Sequence, residues 1–70
     1  MSDNKVFKLV ELTGTSDIGI EAAVNTALSK ASKSIRNMRW FEVVEIRGAI
    51  DETQVAQWQV TLKVGFAVED

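Results

Sequence analysis

One tryptophan falls on the unexpected side of a strand. Along residues 55–68, apolar Trp58, Val60, Leu62, Val64, Phe66 and Val68 alternate with Gln57, Gln59, Thr61, Lys63 and Gly65. A period of two sustained over this length predicts a half-buried strand with one apolar and one polar face. The run 39–50, Arg-Trp-Phe-Glu-Val-Val-Glu-Ile-Arg-Gly-Ala-Ile, is its natural hairpin partner. With Ile50 opposite Val55 and a uniform ladder, Glu42 stands opposite Lys63 and Ile46 opposite Gln59. Trp40 then shares the face of Gln57, Gln59, Thr61 and Lys63, away from the main core. A large flat aromatic on a polar sheet face calls for a partner: another subunit, a ligand, or both.

The rest of the chain supplies one strand and one helix. Residues 5–12, Lys-Val-Phe-Lys-Leu-Val-Glu-Leu, read as a first strand, and Thr13-Gly14-Thr15-Ser16-Asp17 as a turn into a helix. Ser16 or Asp17 is the expected N-cap, accepting from a first-turn amide. Ile20, Ala23, Val24, Ala27, Leu28, Ala31 and Ile35 recur at helical spacing on one stripe. Glu21 near the start and Lys30, Lys33 and Arg36 near the end complement the helix dipole, and Asn37 is a plausible stop. The order is β-α-β-β, an α+β fold in which a three-stranded antiparallel sheet is partly wrapped around one helix. Small Ala23, Ala27 and Ala31 permit close approach. One helix cannot cover both sheet faces, so Trp40, Val44 and Ile46 are expected to remain as apolar surface for assembly.

Seventy residues make one domain, 1–70, and at this size only about 60 % of the surface is buried on folding. Small domains compensate with disulfides, metals or oligomerisation. Cysteine and histidine are absent, which removes disulfides and argues against a structural zinc site, leaving oligomerisation; no metal-binding residue is expected. The net charge of −2 provides no global basic field for nucleic acid. Lys30, Lys33, Arg36 and Arg39 are a local basic cluster, explained first by the helix end. No apolar run spans a membrane, and the polar start Met1-Ser2-Asp3-Asn4-Lys5 has no signal core. These features suit a soluble intracellular protein.

Without His or Cys the common nucleophile–base pairs cannot be built. Glu42 and Glu45 remain as acid–base candidates. Three positions apart on a regular strand, they point to opposite faces, and ion pairing is their simpler role. The Thr13-Gly14-Thr15-Ser16 segment matches neither a dinucleotide fingerprint nor a P-loop. Gly48 and Gly65 mark bulges or close backbone approaches.

Leu12-Thr13-Gly14-Thr15-Ser16, Arg39-Trp40-Phe41-Glu42-Val43, Arg47-Gly48, Trp58-Gln59-Val60 and Leu62-Lys63-Val64-Gly65-Phe66 together resemble the dodecins over nearly the whole chain. Arg39-Trp40-Phe41-Glu42-Val43 is the most specific segment. Dodecins are small flavin-binding proteins that assemble as hollow homo-dodecamers. The resemblance implies binding of FMN foremost, with riboflavin or FAD as alternatives, for cytoplasmic storage and protection from flavin photochemistry. It implies no enzymatic turnover, hence no catalytic residue. It implies that Trp40 stacks on the isoalloxazine ring near a two-fold axis and that Gln59 hydrogen-bonds the ring's polar edge. Glu45 is implied to lie near the site, and Arg47 to make a further contact. Some members also bind coenzyme A. Trp58 departs from the tyrosine that many members carry, and its place on the core face makes this a packing exchange.

In the uniform register Trp40 stands six residues from Gln59, roughly 20 Å along the sheet. A site containing both needs strong curvature or two subunits. Two other functions fit the residues: a structural assembly protein whose apolar surface only joins subunits, and a weak RNA-binding sheet built on Trp40 and Lys63.

Overall fold

The computed structural model describes residues 4–68. Strand β1 (Phe7–Ser16) is followed by helix α1 (Ile20–Ala31) and the long strands β2 (Met38–Asp51) and β3 (Gln54–Ala67). The sheet is antiparallel throughout, in the order β1-β3-β2. The β-α-β-β order and the open sheet against one helix are those expected from the periodicities.

The alternation in β3 explains its central place. Its even-numbered residues Val60, Leu62 and Val64 are fully buried, packed with Ala23, Val24 and Ala27 of α1. Val10, Leu12, Leu28, Met38 and Trp58 close around this cluster. Gly14, on β1 opposite Val60, lets the helix come down. A Cβ there would run into the Ala23 carbonyl oxygen and stand 2.8 Å from Ala27 Cβ.

Gly14 thus belongs to a strand, and the expected turn at Thr13–Asp17 is corrected. Residues Thr13 to Ser16 pair with Thr61 to Trp58, and the Thr13 and Thr61 hydroxyls lie 2.8 Å apart. Ladder hydrogen bonds and burial against α1 outweigh the local turn preference of Gly-Thr-Ser. The cap shifts as well. Gly19 is the N-cap residue, without a side-chain cap, and Ser16 Oγ instead accepts from the Ile18 amide at 2.9 Å. The helix ends at Ala31, short of Ile35, whose amide donates back to the Ala31 carbonyl at 2.8 Å. Asn37, at φ 64°, turns the chain into β2 and does not itself stop the helix.

The β2–β3 ladder starts as expected, with Ile50 opposite Val55, but it is not uniform. Ala49 pairs with Gln57, so Ala56 is an extra residue on β3. Glu45 pairs with Thr61 and Val43 with Leu62, so Val44 is an extra residue on β2. These two bulges offset one another. Trp40 returns to its expected place opposite Gly65, and Glu42 to its place opposite Lys63. A further shift follows, with Met38 opposite Phe66.

Between the bulges every side chain changes face, because strand residues alternate with a period of two. Ile46 therefore stands opposite Val60 on the helix side, not opposite Gln59. Glu42 and Glu45 share the face away from the helix, not opposite faces. The uncovered apolar surface moves accordingly. The helix packs over β1 and β3, and β2 overhangs it. Phe41, Val43 and Ile46 are 46 %, 39 % and 46 % exposed on the helix side of that overhang, while half-exposed Val44 is the bulge residue itself.

Candidate functional site

The sheet face turned away from α1 is built in rows across the three strands. Leu9, Gly65 and Trp40 form one row, and Glu11, Lys63 and Glu42 the next. Thr13, Thr61 and Glu45 follow, then Thr15, Gln59 and Arg47, with Gln57 beside Ala49 beyond them.

Trp40 lies against the bare backbone of Gly65. A Cβ on Gly65 would sit 2.7 Å from Trp40 Cδ2 and closer still to the outer ring atoms. No described glycine adopts a left-handed φ, so the requirement at position 65 is steric and not conformational. The Phe7 ring meets the indole edge-on, with centroids 4.9 Å apart and planes at 64°. Trp40 nevertheless stays 43 % exposed. It is therefore held from below and from one side, with indole surface left for a flat partner.

A polar chain occupies the other end of the face. Glu45 Oε1 and Arg47 Nη1 form an ion pair at 2.8 Å. Arg47 Nε donates to Gln59 Oε1 at 3.1 Å, and Gln59 Nε2 donates to Gln57 Oε1 at 3.1 Å. The ion pair is well exposed, so it contributes little to stability, and its effect is to orient the guanidinium. A carboxamide has two N–H donors and an oxygen with two lone pairs. The chain uses one donor and one lone pair of Gln59, leaving one of each.

Of the sequence-predicted residues, Glu45, Arg47 and Gln59 are brought together and Trp40 is not. Gly65, under the indole, is six residues from Gln59 on β3, roughly 20 Å. Arg47, and not Ile46, is the direct neighbour of Gln59. The structure adds Phe7, Gly65 and Gln57 to the candidates. Gln57 was visible as the position two before Gln59 on the same face. Phe7 reaches Trp40 only through sheet pairing, so no local pattern marks it. Among the described residues no helix is long and apolar enough to cross a membrane. Nor is any group of three or more carboxylates placed there to hold a metal ion.

Comparison with known proteins identifies the family and matches the fold. The family model Dodecin matches residues 6–69. A curated dodecin of Thermus thermophilus is 54 % identical over 66 residues, covering 94 % of this chain and 96 % of that protein. The structure of a dodecin from Streptomyces coelicolor superposes with a TM-score of 0.93 at 43 % identity, covering 99 % of each chain. An arginine-to-alanine variant of the T. thermophilus dodecin gives 0.92 at 55 % identity, covering 96 % of this chain and 98 % of that one.

Proposed function

Because the chain belongs to the dodecin family, we propose that it binds and stores a flavin, FMN foremost, within a homo-dodecamer in the cytoplasm, without catalytic turnover. The observation that carries this reading is the half-exposed indole of Trp40, seated on Gly65 and steadied by Phe7 on an otherwise polar sheet face.

The residues present fit an isoalloxazine ring. Trp40 offers a flat, electron-rich surface, and aromatic stacking contributes about 1 kcal/mol beyond the area it buries. Gln59 retains one donor and one acceptor, which suits an edge carrying carbonyls and an N–H. Glu45 holds Arg47, and Arg47 holds Gln59. A bound flavin brings a light-excitable ring, and an indole in van der Waals contact drains that excitation by electron transfer. Since Trp40 and Gln59 are roughly 20 Å apart along one sheet, the two residues of one site come from different subunits. The exposed Phe41, Val43 and Ile46 supply apolar area for joining those subunits.

Titration of flavin-free protein with FMN and with riboflavin tests the reading, followed by absorbance and by quenching of flavin emission. Gln59→Ala should weaken binding by about 1–2 kcal/mol through a ring group left unpaired, with the oligomer unchanged. A colourless oligomer that takes up no added flavin refutes the reading and leaves an assembly role in its place.

A further inference from the structure

Building on the assembly reading, we propose that the β2–β3 hairpin tip of one copy docks head to tail on a second copy. Its receptor is the cavity beyond the C-terminal end of α1, at the far end of the sheet.

The fold puts these two surfaces at opposite ends of a long molecule. The protein extends 59 Å in one direction and only 20 and 14 Å in the others. Strand β1 finishes with Ser16 opposite Trp58, so residues 54–57 of β3 and their β2 partners project past it. Four strand residues make an arm of roughly 13 Å. Helix α1 begins near the base of that arm and runs back toward the other end, where residues 34–37 meet Phe66.

Charge is sorted along the same axis. Asp51 and Glu52 at the tip and Asp17 and Glu21 before and within the first helical turn are exposed at one end. Lys8, Lys30, Lys33 and Arg36 are exposed at the other. Unlike ends attract and like ends repel, so the pattern favours head-to-tail contact over tip against tip.

The surfaces also match in apolar character. Ile50 and Val55 oppose one another at the tip and are 77 % and 57 % exposed. The receiving cavity, of about 300 Å³, is lined by Ile35, Phe66 and Val68, with Lys8 and Arg36 also around it. The aliphatic pair suits the apolar lining, and the carboxylates that follow Ile50 suit the two cations. Glu52 and Thr53 hold left-handed backbone, at φ 49° and 74°, in a turn where asparagine and glycine are the usual choice. Strain of this kind persists where side chains are put to use, and a carboxylate presented at the tip is such a use.

A head-to-tail contact is heterologous and closes into a ring or runs on as a filament. A closed dodecamer requires a ring whose subunit count divides twelve. The apolar surface of β2 then supplies a second kind of contact, which joins one ring to the next.

The chain has no cysteine, so the contact can be tested by cross-linking the assembled full-length protein. Ser34→Cys places a thiol at the cavity and Gln54→Cys one beside the tip, both at exposed positions and with every charge kept. Treated with a short bismaleimide and run on a denaturing gel, the double variant should give a ladder beyond the dimer. Either single variant should stay monomeric. Asp51→Lys with Glu52→Lys should cut the cross-linked yield about tenfold by setting like charges together, and adding Lys8→Glu with Arg36→Glu should restore it. Dimers from a single variant show a symmetric contact and overturn the proposal. So does an assembled double variant that does not cross-link, or a charge reversal that the second reversal fails to rescue. A wild type that sediments as a monomer is a different result, which overturns the assembly reading and this inference with it.

Discussion

Gly65→Ala probes the seat of Trp40 with the smallest possible change. Position 65 has no left-handed φ, so alanine is conformationally acceptable there. By restricting the unfolded chain it should stabilise by about 0.4–1 kcal/mol if nothing stood in the way. The indole does stand in the way, since the new Cβ would fall 2.7 Å from Trp40 Cδ2 and nearer to the outer ring atoms. Overpacking of this kind costs about 1–3 kcal/mol. Trp40 is 43 % exposed and can tilt outward, which favours the lower half of that range. The expected net loss is about 1 kcal/mol. In a Trp40→Ala background the obstacle is gone, and the same substitution should be neutral or stabilising. The double-mutant cycle should therefore return a coupling of about 1–2 kcal/mol. Urea unfolding of flavin-free protein at one fixed protomer concentration measures it, because stability of an assembly depends on concentration. A tilted indole should also lose most of its stacking, lowering flavin affinity about fivefold. If Gly65→Ala has the same effect with and without Trp40, position 65 does not seat the indole.

Trp40→Ala should lower flavin affinity and leave any bound flavin brighter, whereas Trp58→Phe should mainly reduce stability because Trp58 packs against the core cluster; fluorescence titration of both variants separates them, and the reverse pattern would reject the site. The β2–β3 turn holds Glu52 at φ 49° and Thr53 at φ 74°. Thr53→Gly should raise stability by about 1 kcal/mol, since left-handed backbone strains a β-branched residue, and an unchanged or lower Tm would contradict this. With Phe41, Val43 and Ile46 uncovered in a single chain, no folded monomer should persist at micromolar concentration. Sedimentation velocity should show one large species, and a well-folded monomer would count against assembly through β2.

Element type and order were legible because periodicity is local. The alternation of residues 58–68 and the helical stripe of Ala23, Val24, Ala27, Leu28 and Ala31 each announce themselves within one segment. Their buried members, Val60, Leu62, Val64, Val24 and the alanines, form the core. The place of Trp40 on the polar face was legible too, but only because two bulges cancel before the ladder reaches it. The family resemblance likewise lay in the sequence and was upheld by the comparison with known dodecins.

Tertiary pairing decided what local patterns leave open. The extra residues Ala56 and Val44 have no compositional mark, yet between them they turn Glu45 and Arg47 onto the face of Gln59 and Ile46 away from it. In a uniform ladder the polar chain from Glu45 to Gln57 could not form. Similarly, Gly14 reads as a turn residue until β3 offers it a partner and α1 needs the space above it. Phe7 becomes a support for Trp40 only once β1 and β2 flank the same central strand. Side-chain period can be read along one strand, whereas register is a relation between two. Its breaks are set by whichever pairing buries the most apolar surface while satisfying the ladder.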